Sequence, residues 1–191
     1  MRPLTDIAIA IAIAAVVGLT SAWFAIERGY IFGAVSSGEW TAWLSAGASD
    51  ADPYAMAHLA RTGEVPLGAG EGLAFNTAVD HDGEPLTGGC TYRIVGQTPA
   101  ARLWTLTAYD AEGRLMANPA QRSGFHSREI VRRPDGSFDI AVSSDVQSGN
   151  WLPVDPSGDF TLTLRLYDTP LTTGGTLVDS DMPAIRREAC R

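Results

Sequence analysis

The sequence predicts a mainly β protein: an antiparallel β-sandwich of jelly-roll type with one short helix, preceded by a single N-terminal transmembrane helix. Three observations lead there. Between Asp6 and Glu27 lie 20 uncharged, mostly apolar residues. After Gly72 come six or more short runs carrying β-branched or aromatic residues, separated by turn pairs such as Asp82-Gly83, Gly88-Gly89 and Ser157-Gly158. The one convincing helix outside the apolar run is "PYAMAHLARTG".

A helix of 20 residues rises about 30 Å, the thickness of a bilayer's hydrocarbon core. The Ile-Ala alternation from Ile7 to Ala14 has strand period, but a lone strand in lipid would leave its backbone groups unpaired. A cleaved signal peptide is the rival reading. The length of the run favours an uncleaved anchor over residues 1–28, as does Trp23-Phe24 where a small-residue cleavage site would stand. Arg2 and the terminal amine lean toward a cytoplasmic N-terminus, although Arg28 flanks the other end. Ala10, Ala14, Gly18 and Ala22 recur every four residues, a ridge suited to close packing against another helix.

Residues 29–52 are rich in Gly, Ser and Ala and include Trp40 and Trp43, which reads as a linker resting near the headgroups; docking of both Trp on the domain is the alternative. Residues 53–191 then form one domain. Asp52 is placed to cap its helix, Pro53 suits the first turn and Gly63 ends it. The expected strands are "LAFNTAV", "CTYRIVG", "RLWTLTAYD", "REIVRR", "SFDIAVS" and "DFTLTLRLYD", with Pro134-Asp135-Gly136 turning a hairpin between the fourth and fifth. In the last, alternation puts Leu162, Leu164 and Leu166 on one face, and Thr161, Thr163, Arg165 and Tyr167 on the other.

Composition excludes several functions. The net charge is −8, and no basic stripe offers a nucleic-acid footprint. All 14 basic residues are Arg, so Schiff-base and P-loop lysine chemistry are both excluded. An all-Arg set suits phosphate or carboxylate recognition, but GC-rich coding explains it more simply. Cys90 and Cys190 would pair in an oxidising compartment and pin the C-terminus to the domain; two free thiols in a cytosolic domain are the alternative. Two cysteines are too few for a zinc site, and no cofactor is expected.

The candidate site draws on two loops. "LMANPAQRSGFHS" supplies Asn118, Arg122 and His126, and "SGNWLP" supplies Asn150 and Trp151. Facing each other across one end of the sandwich, they would make a small pocket for a carboxylate or sugar. The competing reading has the two Asn satisfying turn backbones while Trp151 plugs the sheet end. Asp80-His81-Asp82, with Glu84, reads as a polar hairpin tip before a cation site, and Asp110 with Asp168 as turn-opening aspartates before an acid–base pair.

"LWTLTAYDAEGRLMANPAQR", "PDGSFDIAVS", "GNWLPVDPSGDFTLTLRLYDTP" and "MPAIRREAC" resemble successive blocks of the bacterial domain-of-unknown-function family 1214, over roughly residues 70–190. Asn150-Trp151-Leu152-Pro153 is the most distinctive block, and the layout resembles the short membrane-anchored members. The resemblance implies a jelly-roll sandwich, an envelope location and a membrane-bound companion protein of the 1254 unknown-function family; it implies no catalytic residues. Where longer members carry an Arg-Tyr pair after Asn-Pro, this chain reads Arg122-Ser123, and Phe125 is the nearest aromatic. The expected protein is a non-catalytic binding or partner subunit in the inner membrane with a periplasmic domain. An envelope hydrolase or a carbohydrate- or small-ligand-binding domain is the alternative, and a purely structural protein the third reading.

Overall fold

The computed structural model describes residues 2–28, 34–68, 70–173 and 182–191. Helix α1 runs from Arg2 to Arg28, and its segment Pro3–Ile26 is long and apolar enough to cross a membrane, with none of the apolar window buried by the rest of the protein. Ile7, Ile9, Ile11, Ile13 and Leu19 all stand bare.

Helix α2, Pro53–Thr62, forms as its end signals require. The Asp52 carboxylate accepts from the Tyr54 and Ala55 N–H groups, and Gly63 closes the helix at φ 74°, a left-handed value that favours glycine. It meets the C-terminal part of α1. Arg61 lies over the Trp23 ring at 4.2 Å, and His58 Nδ1 is 3.0 Å from the Ile26 carbonyl oxygen. A carbonyl only accepts, so this nitrogen carries the proton.

Among the described residues ten strands follow: β1 Ala34–Ser37, β2 Trp40–Trp43, β3 Gly72–Thr77, β4 Cys90–Gly96, β5 Leu103–Asp110, β6 Gly124–His126, β7 Phe138–Ser143, β8 Asn150–Pro153, β9 Phe160–Tyr167 and β10 Ala184–Cys190. They make a six-stranded sheet in the order β1-β2-β3-β9-β5-β6 and a four-stranded sheet in the order β10-β4-β7-β8. The inner faces close over one core. Leu162, Leu164 and Leu166 of β9, with Phe75, Trp104 and Leu106 beside them, face Tyr92, Ile94, Phe138, Ile140 and Leu152 of the other sheet. The leucine face of β9 is therefore inside, as its alternation requires, and the Thr/Arg/Tyr face is outside. Cys90 and Cys190 are joined in a disulfide.

Three expectations need correction. Residues 34–43 are not linker: β1 and β2 form a hairpin that joins the large sheet through Thr41↔Asn76 and Ala42↔Phe75. Burial of Trp40 outweighs the loop-like composition around it; its ring is fully enclosed and Nε1 donates to the Pro183 carbonyl at 2.7 Å. Residues 29–33 lie outside the described residues. Second, "REIVRR" is not a strand. Only Arg132 bridges to Phe138, and Val131 is 70% exposed. Third, the sandwich is not wholly antiparallel, because β7 and β8 run parallel.

Candidate functional site

The two loops singled out in the sequence do meet, though not as a pocket. Asn150 opens β8 with its side chain turned inward, 8% exposed. Its Nδ2 donates to the Val131 and Asp139 carbonyls, each at 2.9 Å, and its Oδ1 accepts from the Val131 N–H at 2.8 Å. One amide thus takes both backbone groups of Val131, the groups that "REIVRR" would have offered to a neighbouring strand. Asn118 does the same for Arg122: Oδ1 accepts its N–H at 3.1 Å and Nδ2 donates to its carbonyl at 2.8 Å. Both asparagines are therefore spent on backbone.

Arg122 reaches across to the Trp151 carbonyl at 3.2 Å and lies over the Phe125 ring at 4.9 Å. Phe125 thus supplies an aromatic face to this arginine. Trp151 donates through Nε1 to the Ser143 carbonyl at 2.9 Å. His126 is turned to Glu129, with Nε2 3.3 Å from Oε2, while Nδ1 accepts the Arg128 N–H. Arg122, Phe125 and Trp151 come together; His126 and the Asn150 amide do not join them.

If Asn150 is structural, Asn150→Ala removes the partner of three part-buried backbone groups, and an unpaired group costs up to about 1–3 kcal/mol where water cannot replace the bond. The expected result is a loss of roughly 2–4 kcal/mol in urea unfolding at unchanged slope. A variant as stable as the parent would show that the amide is not needed for the fold.

The remaining candidates separate. The Asp80 carboxylate is 1% exposed and already committed, with Oδ1 accepting from Asp82 and Glu84 N–H and Oδ2 2.8 Å from Arg187 Nε. Asp110 and Asp168 sit at opposite ends of the β5–β9 pair, since Asp110 is opposite Phe160 and Tyr167 opposite Leu103. Each has its own arginine, Arg114 and Arg102, at 2.9 Å. The Arg114 backbone N–H, and then its guanidinium, hold the Asp110 carboxyl below the usual carboxylate range. Among the described residues no three His, Cys, Asp or Glu side chains gather to hold a metal ion.

A cavity of about 700 Å³ lies elsewhere, on the outer face of the six-stranded sheet. Its floor carries Thr41, Asn76, Thr163, Arg165 and Tyr109 from β2, β3, β9 and β5; α2 and the connection from Gly63 to Leu67 wall it. A second cavity of about 500 Å³ lies between the turns at 110–117 and 155–159. None of the five candidate residues lines either. The alternation of "TLTLRLY" marked the floor in the sequence. The walls carried no such mark, because the α2–β3 connection has no periodicity and the β1–β2 hairpin reads as linker.

The fold is that of a two-sheet β-sandwich following an apolar N-terminal helix. Residues 71–171 match the family described as "Protein of unknown function (DUF1214)", which is more than half of the chain, and the chain belongs to that family. Among solved structures it is similar to the VPA0106 protein from Vibrio parahaemolyticus, at 25% identity and a TM-score of 0.58 over 73% of this chain and 36% of that one. A putative uncharacterized protein from Burkholderia cenocepacia is similar at 18% identity and a TM-score of 0.45, over 91% of this chain and 50% of that one. The chain thus spans half or less of the length of these two solved proteins. No curated protein matches it.

Proposed function

We propose that this is a bacterial inner-membrane protein, anchored by α1 with its sandwich on the periplasmic side, that acts as a non-catalytic binding or partner subunit of an envelope complex. The observation that carries the reading is a bare apolar helix joined to a disulfide-closed sandwich. An uncovered helix of this length requires lipid or another helix around it, and a disulfide persists in an oxidising compartment. The partner role is supported by the resemblance of the layout to the short membrane-anchored family members, which implies a membrane-bound companion of the 1254 family. On α1 the ridge of Ala10, Ala14 and Gly18 is exposed, and a Cβ added at Gly18 would meet nothing in this chain. A companion helix can approach closely there.

The test is crosslinked affinity purification of the tagged full-length protein from native membranes. One stoichiometric membrane protein is expected, and its recovery should fall severalfold when Ala14 and Gly18 are both replaced by Leu. Recovery of the protein alone from crosslinked membranes overturns the subunit reading.

A further inference from the structure

We propose that the cavity on the outer face of the six-stranded sheet binds an aliphatic carboxylate, held by Arg165. This deepens the binding-subunit reading and rests on it for biological context.

The strand register lays out the floor in two rows. Thr41, Asn76, Thr163 and Thr107 stand opposite one another across four strands, and a second row runs from Ala74 through Arg165 to Thr105. The polar groups of these rows form a set with donors left over. Thr163 Oγ1 donates to Asn76 Oδ1 at 2.8 Å, which fixes the amide and leaves the Asn76 NH₂ without an acceptor among the described residues. Arg165 Nη1 donates to the Tyr109 hydroxyl at 3.0 Å, and its guanidinium lies 5.6 Å over that ring. Arg165 has no carboxylate within ion-pair distance among the described residues. This distinguishes it from Arg93, Arg102, Arg114, Arg133 and Arg187, each of which has one. A half-buried guanidinium held from one side by a tyrosine, with its remaining N–H groups unpaired among the described residues, matches the two oxygens of a carboxylate.

Acidic side chains also line the cavity, but they do not occupy this position. Asp110 and Glu112 both bind Arg114 at 2.9 Å, and Glu64 is exposed on the rim, where Arg61 also lies. The walls opposite the floor define the rest of the ligand. Leu44, Leu59, Val65, Pro66 and Leu67 are apolar, and the volume falls within the usual range for small-molecule sites. One charged end and an apolar remainder describe an aliphatic acid. The wall helix α2 is also the element that touches α1 at Trp23 and Ile26, so the cavity lies beside the point where the apolar helix ends. Amphiphilic acids collect at that level of a membrane.

The test is isothermal titration of the full chain in lipid nanodiscs with hexanoate, using hexan-1-ol as the uncharged control and empty discs as blank. Saturable hexanoate binding is expected, weaker by about tenfold or more in Arg165→Met, with hexanol unaffected by that change. Ala74→Phe, which fills the cavity from the residue opposite Arg165 while keeping the charge, should abolish binding of both. The proposal is overturned if the parent shows no saturable hexanoate binding, or if Arg165→Met binds hexanoate as the parent does. Should Arg165→Met fail to fold, unchanged hexanoate binding by Ala74→Phe overturns it. No partner protein is needed, so a negative titration leaves the subunit reading intact, and a missing partner leaves the titration to be judged alone.

Discussion

Trp40→Ala is expected to lower the melting temperature of the sandwich by about 10 °C or more, the consequence of a loss of roughly 3–5 kcal/mol. Trp40 is fully enclosed in the core, and the strand that carries it is attached to the sheet by only two register pairs, Thr41↔Asn76 and Ala42↔Phe75. Backbone pairing alone is therefore a weak attachment. The side chains add two bonds to the far end of the chain: Trp40 Nε1 to the Pro183 carbonyl, and Glu39 Oε1 accepting from the Ile185 N–H. Truncation of Trp40 removes the buried ring and leaves the Pro183 carbonyl without its donor. Trp40→Phe separates the two contributions, since it keeps much of the apolar burial and loses only the N–H; a smaller loss, about 1–2 kcal/mol, is expected there. Both are read by thermal denaturation followed by circular dichroism. A melting temperature for Trp40→Ala within a degree or two of the parent would show that β1 and β2 do not belong to the cooperative unit.

That hairpin also shows where sequence patterning reaches its limit. β4, β5, β7 and β9 were legible because each alternates or holds a run of β-branched residues long enough to show a period. α2 was legible because Asp52, Pro53 and Gly63 mark both ends. β1, β2, β6 and β8 have four residues or fewer, too short for a period to register. β10 is long enough, but as an edge strand it buries only Ile185, so its sequence reads as charged surface. "REIVRR" failed in the other direction: its composition suits a strand, yet the Asn150 amide takes the backbone groups of Val131. A side chain standing in for a strand 19 residues away leaves no local signal.

The candidate site divides along the same line. The sequence brought Arg122 and Trp151 to one end of the molecule because both read as loop residues beside strands; Trp151 in fact lies in β8, and the structure joins the two through a hydrogen bond to the Trp151 carbonyl. It could not show that the polar atoms of Asn118 and Asn150 face their own backbones, since that depends on how each loop closes. Arg165 was visible on the outer face of β9 from alternation alone. What made that face concave, the packing of α2 and the Gly63–Leu67 connection over it, is a tertiary arrangement that no single segment encodes.

Reduction of the Cys90–Cys190 bond is expected to have the other large effect. The bridge closes a loop across a sequence separation of 100. In the chain-entropy account a loop of that size constrains the unfolded state by up to about 4.7 kcal/mol, so a fall in melting temperature of roughly 5–15 °C is expected after reduction and alkylation. The native state gives the same bond a local role. β10 lies at the edge of the four-stranded sheet, its register with β4 shifts between Arg187 and Ala189, and residues 186–191 are exposed. Beyond Ile185 little apolar contact holds it, so the disulfide and the Arg191 N–H to the Gly89 carbonyl at 3.1 Å keep the final residues paired. Two readouts should therefore move together when the bond is opened: the global melting temperature falls, and cleavage by a carboxypeptidase or trypsin at Arg186 and Arg187 begins while the sandwich is still folded. Cys190→Ser should reproduce both without reductant. If the reduced protein melts with the parent and its C-terminus stays resistant, the edge strand is held by its backbone ladder and the Arg187–Asp80 ion pair, and the bridge has no mechanical role in the fold.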